Sequence, residues 1–383
     1  MAKTMLLVIF KQFFLLGCMS FGGPAAHLGY FKRHFVDNLR WLNSERYAQL
    51  ISLSQALPGP GSSQVSFAIG VEKGGLLGGL CAFIGFTLPS FLIMFFLALS
   101  AHQFGNIYFA VIAGLKLFAI VIVADATYSM AVSFCKTHLL KLIAVLSTLS
   151  LIIFSQFSSQ IFVLIIAAII GWLYPQHKLP QHENVSKPVK VSWLPFIIFA
   201  VLLIASFLPF GEWSSLFAPF YQTGAMVFGG GHVVLPILQA SIPSLETEQF
   251  LSAYASAQAI PGPMFTIATY LGAELTPHSP LLGALIATLL IFLPGFLLML
   301  AFLKSWLQLA DKPRFAGSIA ALNAAVVGFL AAALYSPIWL STINNIWQIV
   351  LVVTAFTWLR VAKPPIWWLL LGFIGIALAV QSL

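Results

Sequence analysis

Charge is scarce in this chain. Only 7% of its 383 residues are charged and 60% are hydrophobic, whereas a soluble domain carries about 25% charged residues. That excludes the ordinary water-soluble classes. Cysteine is scarce too. Cys18, Cys81 and Cys135 sit in apolar stretches with no paired spacing, so they read as small buried side chains and not as a disulfide or metal framework. His-Glu-x-x-His, Gly-x-Ser-x-Gly and phosphate-cradling Walker motifs are missing. No enzyme activity, cofactor or metal is therefore expected, and any uphill work would draw on an ion or anion gradient. Arginine is confined to Arg33, Arg40, Arg46, Arg314 and Arg360, all in or beside connections. A site deep in a bilayer would lack an arginine clamp.

What is present is a series of apolar runs: 76–100, 107–134, 139–154, 161–173, 193–207, 281–303, 318–334, 346–359 and 366–380. Most meet or approach the roughly 20 residues that span a bilayer as a helix. Alternating segments of the outer-membrane barrel type are absent. The reading is an all-α polytopic membrane protein of about 10–13 membrane segments. Lys3 and the apolar stretch behind it resemble a signal peptide without a clean cleavage site, so the segment reads as retained. Lys and Arg exceed Asp and Glu by 18 − 10 = 8. The basic residues lie in connections, which points to topology and not to nucleic acid.

One motif occurs twice. Gln55-Ala56-Leu57-Pro58-Gly59-Pro60 returns as Gln258-Ala259-Ile260-Pro261-Gly262-Pro263. Phe21-Gly22-Gly23 precedes the first copy and Phe228-Gly229-Gly230 the second. Glu45 and Tyr47 align with Glu248 and Phe250. Leu88-Pro89-Ser90 aligns with Leu293-Pro294-Gly295, and Ala113-Gly114-Leu115-Lys116 with Ala320-Ala321-Leu322-Asn323. Several matches in one order indicate a duplication. The expected organisation is a first repeat over 1–174, a polar cytoplasmic linker over 175–192, a connecting helix over 193–212 and a second repeat over 213–383. One added span inverts the second repeat. With the N-terminus in the cytoplasm of an inner membrane, the connections holding Lys73, Lys136, Lys141, Lys304, Lys312, Arg314, Arg360 and Lys363 then fall inside. The basic loop 32–46 fits only if the first two segments enter and leave on one side. The sequence leaves that re-entrant pair and two full spans equally open.

Proline flanking glycine stops a helix, because proline lacks an N–H and clashes with the preceding turn. A broken helix in a bilayer frees backbone groups that need a use. New half-helices should begin near Gly61 and Met264, with unpaired N–H groups and roughly +0.5 e at each start. Such an end suits an anion. Gln55, Ser62, Ser63 and Gln64 surround the first break; Gln258 and Thr266 surround the second. These residues, with Pro58, Gly59, Pro60, Pro261, Gly262 and Pro263, are the candidate substrate site. Simple kinking of packed helices is the alternative. Gly22, Gly23, Gly229 and Gly230, with Pro89 and Pro294, are candidates for close backbone approach or gating, or for plain small-residue packing. His27 and His232 could donate to an oxyanion or relay a proton, and Asp125 could relay a proton; each also reads as an ordinary hydrogen-bonded residue. Lys116 could neutralise an anion or pair structurally, and Asn323 keeps polarity at the matching place.

At these residues the chain resembles the chromate ion transporter family in its long two-repeat form. The matching pieces are Phe21 to Pro24 with His27, Trp41-Leu42 with Glu45, Gln55 to Pro60 with Gln64 and Gly70, Leu88-Pro89-Ser90, Phe228 to His232, and Gln258 to Pro263. The resemblance covers essentially the whole chain and implies chromate transport, commonly as efflux, with sulfate as the related oxyanion. Gln64 has Ile267 opposite it in the second repeat, so the halves are not equivalent. The leading expectation is a secondary carrier of a tetrahedral oxyanion working by alternating access, coupled to a proton or counter-anion. An anion channel using the same dipoles is the runner-up, and a homodimer stays open.

Overall fold

The computed structural model of the protein describes residues 2–21, 23–100, 105–154, 156–175, 191–208, 211, 214–228, 231–306 and 312–381. Every regular element among them is helical. In order they are α1 (Ala2–Met19), α2 (Gly23–Phe31, continued as a π-helical stretch Lys32–Asn38), α3 (Ser44–Ala56), α4 (Gly61–Ser100), α5 (Gly105–Phe134), α6 (His138–Ile153), α7 (Phe157–Leu173) and α8 (Trp193–Ala205). Then come α9 (Ser214–Met226), α10 (Val234–Ser241), α11 (Thr247–Ala259), α12 (Ile267–Leu275), α13 (Pro280–Phe302), α14 (Pro313–Ala333), α15 (Ile346–Ala362) and α16 (Ile366–Gln381). Four stretches are long and apolar enough to cross a membrane: α4, Val111–Phe134 of α5, α13, and α14 with its extension to Thr342. Helices α1, α6, α7, α8, α15 and α16 are shorter but apolar. The chain is a multi-pass membrane protein.

Helix α4 explains how the repeat is built. Its 40 residues would measure about 60 Å as a straight rod, twice a bilayer's hydrocarbon core of about 30 Å. It breaks at Gly74 and Gly75 and folds back. Gly70 and Gly78 then lie so close that a side chain on either would strike the other's backbone. The first half of α4 therefore pairs antiparallel with the second. Helix α3 pairs with that first half. Arg46 at the start of α3 bonds Glu72 at 2.6 Å, so the Pro58-Gly59-Pro60 break is the apex of a hairpin. Gln249 and Glu274 link the matching ends of α11 and α12 at 3.4 Å.

A second hairpin precedes it. Gln12 of α1 accepts from His34 at 2.7 Å, and Phe13 lies 4.6 Å from Phe35, ring to ring. Helix α1 and the α2 stretch thus run back along one another.

The two repeats are interlocked. Helix α14 of the second packs on α6 and α7 of the first, and α5 of the first packs on α15 and α16 of the second. Gly171 and Gly317 make the α7–α14 crossing close enough that neither position tolerates a Cβ without movement. One buried apolar cluster runs through both repeats, from Ile9 to Phe373. Phe67 stacks on Phe296 across them at 4.5 Å. Outward faces stay apolar, as at Leu146, Ile165, Leu289 and Val353, which suits contact with lipid.

Candidate functional site

The two proline-flanked breaks are largely buried, each against the opposite repeat. Asn43 caps α3 by accepting from the Arg46 amide at 2.8 Å, and Glu246 caps α11 in a reciprocal box with Gln249. Both helices end where the following proline forces its predecessor out of the helical region. Leu57 stands at φ −88°, ψ 148° and Ile260 at φ −93°, ψ 156°. Gly59 and Gly262 then take φ values of +123° and +104°, which residues with a side chain rarely adopt. Each glycine reaches into the other repeat. The Gly59 amide donates to the Val227 carbonyl at 2.7 Å, and the Gly262 amide donates to the Ser20 carbonyl at 2.9 Å. A Cβ on Gly59 would meet the Gly295 Cα at 2.9 Å; one on Gly262 would meet the Ser90 Oγ at 2.7 Å. Every break is docked on the opposite Leu-Pro-x-Phe segment, Gly59 beside Val227 and Gly262 beside Ser20.

Gln64 strengthens that lock. Its Nε2 donates to the Pro58 carbonyl at 2.9 Å and to the Gly295 carbonyl at 3.1 Å. Turning the amide over would set its oxygen against two carbonyls, so the assignment is forced. Both donors are engaged, and the buried Oε1 lacks a partner. A bare acceptor does not attract an anion. Ser63, fully buried, has an unpartnered hydroxyl that can donate. Ser62 bonds His27 Nδ1 at 3.2 Å, while His27 Nε2 donates to the Ser20 carbonyl at 3.1 Å. That carbonyl also holds Gly262, so His27 braces the repeat junction. In the second repeat, Thr266 donates to the Pro263 carbonyl at 2.8 Å. Gln258 lies 3.0 Å from His232 Nδ1 and 3.4 Å from Met264 Sδ, and Tyr254 lies 2.9 Å from the same His232 nitrogen.

The two glutamines that open the breaks occupy different surroundings. Gln258 is only 7% exposed, whereas Gln55 is exposed. Gln55 lines a cavity of about 230 Å³ with Ser52, Ala56, Ser133, Lys136, Trp306, Ala316 and Asn323, among others. We call it the vestibule. It separates α3 from α14. Its mouth lies where α5 and α13 end and α6 and α14 begin, the end that carries Lys136, Lys304, Lys312 and Arg314. Positive potential there favours entry of an anion. Asn323 is 5% exposed, and its Oδ1 has no partner.

The intramembrane charges are paired. Lys116 bonds Glu248, at the start of α11, with Nζ 2.5 Å from Oε1. Asp125 accepts from Arg360 at 2.9 Å, and the guanidinium sits 4.4 Å above the Tyr128 ring. Pro89 and Pro294 are buried inside α4 and α13. Gly23 takes φ +75° beside Met264. Gly22, Gly229 and Gly230 lie outside the described residues. No group of three His, Cys, Asp or Glu that could hold a metal occurs among the described residues.

The structure thus gathers both breaks with Ser62, Ser63, Gln64, His27, Pro89 and Pro294 at one junction. Gln55 and Asn323 share the vestibule, and Lys116 and Asp125 stand in separate ion pairs. Sequence reasoning passed over Ser52, Lys136 and Glu248. Glu248 had a signal, its alignment with Glu45 in a motif-bearing helix. Lys136 had none beyond its place in a basic connection.

No solved structure matches this chain. A probable chromate transport protein of Synechococcus elongatus is 28% identical over 330 residues, 84% of this chain and 82% of that one. The chromate transport protein of Pseudomonas aeruginosa is 25% identical over 349 residues, covering 85% and 79%. That of Cupriavidus metallidurans is 25% identical over 327 residues, covering 84% and 80%. The profile of the chromate transporter family matches twice, over residues 7–172 and 214–378. The two matched segments are the two interlocked repeats, and the chain belongs to the chromate transporter family.

Proposed function

We propose that the protein is a secondary transporter that carries chromate, and the related dianion sulfate, across the cytoplasmic membrane by alternating access. The second repeat is inverted, the N-terminus and the vestibule face the cytoplasm, and chromate leaves the cell. A proton or counter-anion supplies the driving force. One observation carries the reading: two duplicated helix breaks interlock across the repeats, and an open vestibule reaches only one of their two glutamines. Gln55 meets the passenger from the vestibule. Gln258, closed in with His232 and Tyr254, meets it after the repeats rock. Ser63 and the first-turn amides at Gly61 and Ser62 add donors at the junction. Gly59, Gly262 and Gln64 hold the hinge. The relatives' names support chromate as the passenger. Basic connections at the vestibule end support its cytoplasmic orientation.

Chromate uptake into proteoliposomes by Gln55→Ala and Gln258→Ala tests the assignment. Each variant should insert normally. Each should lose about 10- to 150-fold in kcat/KM, because a hydrogen bond to a charged group contributes about 1.5–3 kcal/mol. Wild-type kinetics in both variants would overturn it.

A further inference from the structure

The repeats are mirrored in sequence but not in state. Along one seam α11 packs directly on α5, and Lys116 bonds Glu248 where they meet. Along the matching seam α3 and α14 stand apart, with the vestibule between them. Glu45 occupies the place of Glu248, and Asn323 the place of Lys116. Asn323 keeps a buried, unpartnered amide oxygen on the vestibule wall, and Glu45 accepts from Gln49 at 3.5 Å. The sealed seam therefore carries a direct ion pair, and the parted seam has Glu45 bonded to Gln49 and an amide, Asn323, in the place of the lysine.

We propose that Lys116 and Glu248 are a latch that holds the outer end of the path shut, and that Asn323 opposite Glu45 leaves the vestibule end unlatched. This rests on the alternating-access reading and adds residues that set its balance. Lys116 is 13% exposed and Glu248 48% in their side chains, so solvent screens the pair only on one flank. When the repeats rock, α11 must leave α5 and Glu248 must leave Lys116. In the same movement α3 closes on α14, and Glu45 meets an amide. The ion pair is lost without an equivalent gain. The empty carrier consequently rests with its vestibule open, the state seen here. Glu248 and Lys116 act as positioning residues, and Asn323 makes the cycle asymmetric.

The test reads conformation without substrate. In the full-length protein with Cys18, Cys81 and Cys135 replaced by serine, a single reporter is placed at Ser52→Cys, on the vestibule wall, or at Ala255→Cys. Ala255 is the matching position on α11 and is fully buried. Labelling rates with a membrane-impermeant maleimide are measured from each side of oriented vesicles. Ser52→Cys should react fast and Ala255→Cys slowly. Glu248→Gln should shift the ratio of the two rates by about fivefold toward Ala255→Cys, the population change of a partly screened ion pair. The charge exchange Lys116→Glu with Glu248→Lys should return it, which separates a latch from a folding defect. Asn323→Lys should shift the ratio the same way as Glu248→Gln, by giving Glu45 a cation to close on. Adding Glu45→Gln should cancel that shift. Unchanged ratios in both Glu248→Gln and Asn323→Lys would overturn the latch. Labelling shifts of the expected sign in a protein that carries no chromate would retract the substrate and leave the latch standing.

Discussion

Replacing Gly59 by alanine tests the interlocked breaks where they are least forgiving. Gly59 sits at φ +123°, and its absent Cβ would lie 2.9 Å from the Gly295 Cα. The neighbour is backbone of the other repeat, so no side-chain rotation relieves the contact. Strained backbone of this kind costs about 1–3 kcal/mol, and overpacking adds about 1–3 kcal/mol. A total of about 2–6 kcal/mol is a large share of a typical 5–15 kcal/mol stability. The control is Gly61→Ala, two residues on. There a Cβ meets nothing nearer than the Ser54 carbonyl at 3.7 Å, at a helix start with ordinary φ. Alanine should be neutral or slightly stabilising at Gly61. The assay is the apparent melting temperature of detergent-purified protein, read by loss of the monodisperse peak after heating. Gly59→Ala should melt at least about 5 °C below wild type, and Gly61→Ala within about 2 °C of it. Equal melting of the two variants would refute the claim that this apex is fixed against the opposite repeat.

The other break gives a sharper coupling. Gly262→Ala should destabilise through its contact with Ser90, 2.7 Å from the added Cβ, and Ser90→Gly should return part of the loss. A double-mutant cycle should show about 1–2 kcal/mol of interaction, and strict additivity would contradict the packing. Gln64→Leu removes the donor shared by Pro58 and Gly295 and should cost about 1–3 kcal/mol for the two buried carbonyls left bare. A melting temperature equal to wild type would show that the bridge is idle.

Much of the fold was legible because hydrophobic runs and helix breakers are local properties. The run 76–100 begins where α4 turns at Gly75, and 346–359 and 366–380 coincide with α15 and α16 almost to the residue. The half-helix start at Gly61 followed from proline chemistry alone; after the second break a 3-10 turn over Met264–Thr266 comes first, and α12 begins at Ile267. The way the repeats exchange partners was not legible. Nothing local in α14 says that α6 and α7, and not α15 and α16, cover it; that choice is made by close small-residue contacts such as Gly171 on Gly317. The engaged glycine amides were hidden for the same reason. A break advertises freed N–H groups, but the carbonyls that take them belong to Ser20 and Val227 in distant hairpins. Lys116 was visible as an intramembrane charge, and its partner lies 132 residues away. Gln55 and Gln258 looked alike in sequence. Only the asymmetric closure of the seams sets one in a cavity and the other under His232 and Tyr254.

The most direct measurement is flux through the purified wild-type protein in proteoliposomes, with radiolabelled chromate or sulfate and imposed pH and voltage gradients. The account predicts saturable transport of the dianion that follows a gradient and runs against the passenger's own. Absence of chromate and sulfate flux under every imposed gradient, or a non-saturating current of channel size, would contradict it.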